Sequence, residues 1–137
     1  MANREVNAEE LRELRLDYLG DLRETVASLR QHGAALRIRK KFRNSFPVLL
    51  YIAHQLKGSG GTMGYPLISQ VGADMSTRLN SFLDESAQRP TPDELSRQVL
   101  VLAGQLHALL GPAERELVTG SISGRARSAS APGAPSP

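Results

Sequence analysis

The chain has 137 residues, with 17 Lys and Arg against 14 Asp and Glu, no Cys and no Trp. This length supports one domain with a modest core. Few aromatics and no cysteine exclude disulfides and thiolate metal sites, and leave a core of Leu, Ile, Val, Ala and Met, which suits packed helices better than stacked strands. No apolar run approaches the roughly 18 residues that span a bilayer. Residues 1–6 lack the apolar stretch of a secretory signal, so a soluble cytoplasmic protein is expected.

The first predicted helix opens at Asn7, with Glu10 three positions on to close a capping box. Leu11, Leu14, Tyr18, Leu22, Val26 and Leu29 recur at helical steps and predict one apolar stripe. His32 and Gly33 predict its end near Gln31, the histidine complementing the helix dipole. Ala34 to Arg43 then reads as a basic connector or an additional short helix.

The next helix is expected to begin near Asn44 or Ser45, with Pro47 in its first turn, where a missing N–H does no harm. Leu49, Ile52, Ala53 and Leu56 can face inward, which puts Tyr51, His54, Lys57, Gly58 and Gly61 on a more open face. Gly60, Gly61 and Gly64 predict a tight corner, Gly64 supplying close packing or a positive φ. Pro66 opens a third helix with Leu67 or Ile68, Val71, Met75, Leu79 and Phe82 as its stripe. Thr91-Pro92-Asp93-Glu94 combines a threonine cap, a proline at the first helical position and a capping-box glutamate. Leu95, Val99, Leu102, Leu106 and Leu109 follow as a bundle seam ending at Gly111-Pro112. Residues 119–137, rich in Ser, Ala, Gly and Pro, are expected to form a disordered tail beyond a 1–118 domain. The fold expected is all-α, an antiparallel four-helix bundle.

Charge is unevenly placed. No acidic residue occurs from Thr25 to Ala73, a stretch that carries Arg30, Arg37, Arg39, Lys40, Lys41, Arg43 and Lys57. Such a field steers an anionic partner toward a site. Within this stretch lies Ala53-His54-Gln55-Leu56-Lys57-Gly58-Ser59. Residues three and four positions on are neighbours on a helix surface, so Lys57 stands beside His54 and Gly58 leaves the adjacent space clear. Glycine costs a helix interior roughly 0.5–1 kcal/mol relative to alanine, and close approach of another molecule accounts for it here. A nucleophilic imidazole, a nearby cation and a cleared surface describe a phosphoryl carrier.

These residues resemble the histidine-containing phosphotransfer (HPt) domain family, whose pattern reads His-x-hydrophobic-Lys-Gly-Ser/Ala, a short spacer, then hydrophobic-Gly. His54, Leu56, Lys57, Gly58, Ser59, Met63 and Gly64 fill those places in order, with Tyr65 where an alanine is often found. The resemblance implies that His54 takes a phosphoryl group from a receiver domain's aspartyl phosphate and passes it to a second receiver in a multistep phosphorelay. It implies response-regulator receivers and a hybrid histidine kinase as partners, with a divalent metal (Mg) on the receiver and no cofactor on this chain. No Walker loop or glycine-rich nucleotide loop occurs, so a stoichiometric carrier is expected and not an ATP-dependent kinase.

Lys57 is expected to neutralise phosphoryl charge, and Gly58, Gly61 and Gly64 to provide access or packing. Tyr51, Gln55, Arg39, Lys40, Lys41 and Arg43 are the candidate docking residues. Ser59 reads as a packing residue bonded to a carbonyl one turn back, His107 as a boundary residue, and Met63 as partly exposed near His54. The three histidines show no metal-ligand spacing. The rival reading is a helical module that sequesters a receiver or kinase with His54 idle. Nucleic-acid binding is disfavoured, because no stacking aromatics accompany the charge. A self-sufficient bundle is expected to be a monomer.

Overall fold

The computed structural model describes residues 7–85 and 88–130, with side chains through Thr119. Four helices account for the described fold: α1 (Ala8–Ala35), α2 (Arg39–Thr62), α3 (Pro66–Leu83) and α4 (Pro92–Ser130). No strand occurs among the described residues. The expected capping boxes form at both predicted starts. Asn7 Oδ1 accepts from the Glu10 N–H at 2.8 Å while Glu10 returns to the Asn7 N–H. Thr91 Oγ1 accepts from the Glu94 N–H at 3.1 Å, again with the reciprocal bond.

Cross-helix contacts run antiparallel. Tyr18 meets Ser59 and His32 meets Ser45, so the end of α1 lies beside the start of α2. The end of α2 meets the start of α3 where Gly60 abuts Ser69, and Phe46 packs against Phe82 at their other ends. Gly33 of α1 abuts Val99 early in α4, and Arg23 pairs with Glu114 further along. The shared core contains Leu19, Leu29, Leu49, Leu56, Met75, Leu79, Leu95 and Leu106, all essentially without exposure. Each such side chain removed from water contributes about 1.5–3 kcal/mol.

Three predicted boundaries are corrected. α1 continues past Gln31 to Ala35, because Gly33 is buried against α4 and does not cap. A Cβ at Gly33 would come 2.9 Å from Val99 Cγ1, so glycine here serves close helix approach. The connector is only residues 36–38, with no separate short helix; its basic residues form the opening turns of α2, which starts at Arg39. Extended Ile38 turns the chain, its carbonyl accepting from Lys41 and Phe42 at 2.8 and 3.0 Å. Phe42 and Phe46 then stack on one another and meet Phe82, giving these turns an apolar face to bury. That burial carries the helix through Pro47, which lies in its interior.

α4 likewise continues through Pro112 to Ser130, past the predicted stop at Gly111-Pro112. Leu109, Ala113 and Leu117 pack on the core around that proline, and Glu114 pairs with Arg23. Of the segment expected as a tail, the backbone is therefore helical as far as Ser130, and residues 131–137 lie outside the described residues. Leu19, outside the predicted stripe, is buried in α1, while Leu14, within it, is 50% exposed. Ile68, not Leu67, faces inward in α3.

Candidate functional site

Along α2, Phe46, Leu49, Ala53, Leu56 and Gly60 are buried, and this face fixes the helix. The opposite face carries Lys40, Arg43, Pro47, Tyr51, His54, Gly58 and Gly61, every one exposed. Steps of three and four residues make these a single stripe on the helix surface. His54 sits within it, directly after fully buried Ala53. Neither the His54 ring nor the Lys57 ammonium has a hydrogen-bond or ion-pair partner among the described residues.

The glycines divide by role. A Cβ at Gly58 or Gly61 would meet nothing within 4 Å, so no contact among the described residues demands glycine at either position. At Gly60 it would lie 2.5 Å from the Ser69 nitrogen, and at Gly72 the same distance from the Lys57 nitrogen. Gly60 and Gly72 therefore let the backbones of α2 and α3 touch. Ser69 Oγ also donates to the Lys57 carbonyl at 2.6 Å. The main chain at Lys57 is gripped from α3 while its side chain stays in water.

Gly64 takes φ +89° and closes α2 in a Schellman motif. The Tyr65 N–H reaches the Gly60 carbonyl at 2.7 Å and the Gly64 N–H reaches Gly61 at 3.1 Å. Its role is backbone reversal. Arg15 of α1 seals the same corner, donating to the Met63 carbonyl at 3.0 Å and lying over the Tyr65 ring. Tyr18 stacks with Tyr65 and bonds Ser59. Burial pushes the Tyr18 phenol up from its ordinary pKa, with the Ser59 bond opposing; burial also raises Tyr65, against the nearby Arg15 charge.

Several expectations change at this level. Ser59 bonds the Tyr18 hydroxyl and not a carbonyl one turn back. His32 does more than sit at a helix end: its Nδ1 lies 2.9 Å from buried Ser45 Oγ. Tyr51 is 64% exposed, Met63 half-buried, and Gln55 and His107 exposed. Among the basic candidates, Lys40 and Arg43 share the stripe with His54. Arg39 turns toward a recess lined by Phe82 and Thr91, and Lys41 lines another beside His32 and Ser45. Arg15, Tyr18, Ser69 and Gly72 were not foreseen. Their contacts join residues remote in sequence, and no local spacing announces them.

Among the described residues no group of three or more His, Asp or Glu could hold a metal ion. No described helix is long and apolar enough to cross a membrane. A four-helix bundle that presents exposed His54 on the outer stripe of α2 has the architecture expected of a phosphotransfer-type domain. Comparison with protein families matches the Hpt domain over residues 13–112, well over half of the chain, and the chain belongs to that family. Hpt domains are histidine phosphotransfer carriers, not kinases, and work with receiver domains and histidine kinases in phosphorelays. No match was found among curated proteins or among solved structures.

Proposed function

We propose that His54 is the phosphoryl-accepting residue, loaded from an aspartyl phosphate on one receiver domain and unloaded to the aspartate of another. The single observation carrying this reading is the exposed, unpartnered His54 ring flanked by the open positions of Gly58 and Gly61. Neutral imidazole is available near physiological pH, since its ordinary pKa is about 6.5. A ring-nitrogen lone pair forms the N–P bond as the P–O bond to the receiver aspartate breaks, and the carboxylate leaves with the P–O bonding pair. Transfer to the second receiver reverses the sequence.

Lys57 lies one turn along and supplies positive charge to the phosphoryl oxygens during transfer, where electrostatic stabilisation dominates. Gly58 and Gly61 admit the receiver surface, Tyr51 offers it an apolar contact, and Gln55 a polar one at the flank. Lys40 and Arg43 extend the docking stripe; Arg39 and Lys41 add to the steering field. The metal that assists the chemistry, a divalent ion such as Mg, belongs to the receiver. The carrier is consumed and regenerated stoichiometrically.

Incubation with a phosphorylated receiver tests the proposal. Acid-labile label should appear on the wild type and vanish in His54→Gln, while receiver binding survives. Undiminished label in His54→Gln would sink the assignment. Binding and inhibition of the partner without any label on the wild type would favour the sequestering module instead.

A further inference from the structure

At the end of the bundle where α2 begins, a recess of about 760 Å³ opens between α2, the end of α3 and the start of α4. Arg37, Arg39 and Arg43 line it, and all three are exposed. None has an ion-pair or hydrogen-bond partner among the described residues, whereas Arg12 pairs with Glu9 and Arg23 with Glu114. Three like charges face the single carboxylate of Asp93 around this concavity, which leaves a net positive recess that favours a bound anion. Positive side chains at Arg39, Lys40 and Lys41 also face the positive end of the α2 dipole, with no acidic residue in that turn to offset them.

Leu36, Phe42, Phe82 and Pro92 add apolar surface, and Thr91 and Asp93 complete the lining. Phe42 and Phe82 stand 5.0 Å apart between ring centroids, tilted by 41°, and are only partly buried; Arg89 lies over the Phe82 ring, and both rings line the recess. A bare phosphate would leave those rings wet. The volume lies in the usual range of small-molecule sites, roughly 300–1,000 Å³. Asp93 also lines the recess. It disfavours a run of acidic side chains but can accept a hydrogen bond from a ligand hydroxyl or amino group. The first turn of α4 is already capped by Thr91 and adds no anion site.

We propose that this recess binds a nucleoside phosphate, with the phosphates on Arg37, Arg39 and Arg43 and the base against Phe42 and Phe82. Guanidinium groups bind phosphate oxygens through paired donors, and aromatic faces stack on any base. Arg43 lies eleven residues before His54 on the same helix stripe, about 16 Å along the axis at 1.5 Å per residue. The bound phosphates are therefore too far to load His54, and the site is distinct from the phosphotransfer centre. The inference does not depend on His54 carrying phosphate.

Calorimetric titration of the full chain with ADP, pyrophosphate and adenosine, in physiological salt, tests it. ADP should bind saturably with one site, at least about tenfold more tightly than either fragment. Arg37→Gln combined with Arg39→Gln, both at exposed positions, should weaken ADP binding about tenfold or more while circular dichroism stays unchanged. His54→Gln should bind ADP as the wild type does. Equal affinity for pyrophosphate and ADP, or ADP binding that survives the double substitution, would overturn the proposal. So would tighter binding of poly-glutamate than of ADP, which would assign the recess to an acidic protein segment.

Discussion

The Tyr18 hydroxyl stands 2.7 Å from the Ser59 hydroxyl, bridging 41 positions of sequence and tying α1 to the turn of α2 that carries Gly58. Both groups are partly buried, so removing one leaves the other short of a partner. Tyr18→Phe should lower unfolding free energy by about 1 kcal/mol in denaturant titration. It should also speed amide exchange in the last turns of α2. Stability equal to the wild type would show that water replaces the bond without loss.

The raised pKa values of Tyr18 and Tyr65 set an alkaline limit on stability. The folded state holds these protons more tightly than the unfolded chain, whose tyrosines titrate near 10. The contribution is therefore complete below about pH 10 and is lost as pH rises through the folded values. Thermal melts between pH 9 and 12 should fall less steeply for Tyr18→Phe than for the wild type. On the acid side, Arg23 beside Glu114 holds that carboxyl below its ordinary range. Its contribution is present above the ordinary glutamate value of about 4.3 and fades as pH drops, a loss that Glu114→Gln should abolish.

Glycine substitutions should separate stability from transfer. At Gly58 and Gly61 a methyl group meets open space, so alanine should stabilise the helix by about 0.5–1 kcal/mol. The same changes should slow phosphotransfer by crowding the incoming receiver, most at Gly58. At Gly60 and Gly72 a methyl group would press on the main chain of the facing helix. Alanine there should cost about 1–3 kcal/mol by overpacking. Paired melts and single-turnover transfer assays on all four variants would read this out.

If Lys57 stabilises the moving phosphoryl as proposed, Lys57→Gln should bind a receiver nearly as the wild type does but transfer about tenfold more slowly. Lys40→Gln with Arg43→Gln should instead slow association at low salt. That difference should close at 1 M salt, where the screening length is about 3 Å. Rapid-quench measurements at two ionic strengths distinguish the two behaviours.

Pro112 breaks the hydrogen-bond ladder inside α4 without ending the helix. Pro112→Ala should restore the missing N–H bond and raise stability by about 2 kcal/mol, somewhat less than the full proline penalty because the unfolded chain also gains freedom. A lower melting temperature would mean that the proline ring itself packs usefully.

Features that depend on a few neighbouring residues were legible in the sequence. The capping boxes at Asn7 and Thr91, Pro66 at a helix start and the positive φ of Gly64 all follow from local backbone chemistry. The open position of His54 followed from its place opposite Leu49, Ala53 and Leu56. What local reasoning missed was decided by distant partners. Gly33 looks like a cap until Val99 is set against it. Pro47 and Pro112 look like boundaries until the Phe42–Phe46–Phe82 cluster and the Leu109–Leu117 packing carry the helices past them. Leu14 and Leu19 both fit a helical apolar stripe, and only the placement of the other helices selects Leu19.

Main chain against main chain at Gly60 and Gly72 leaves α2 no cushion of side chains on which to roll. The azimuth of the imidazole is accordingly dictated by two rigid rods locked together, and only its own torsions remain adjustable. On the proposed function, any fitting of shape during an encounter falls to the visiting receiver, which meets the ring at one fixed bearing.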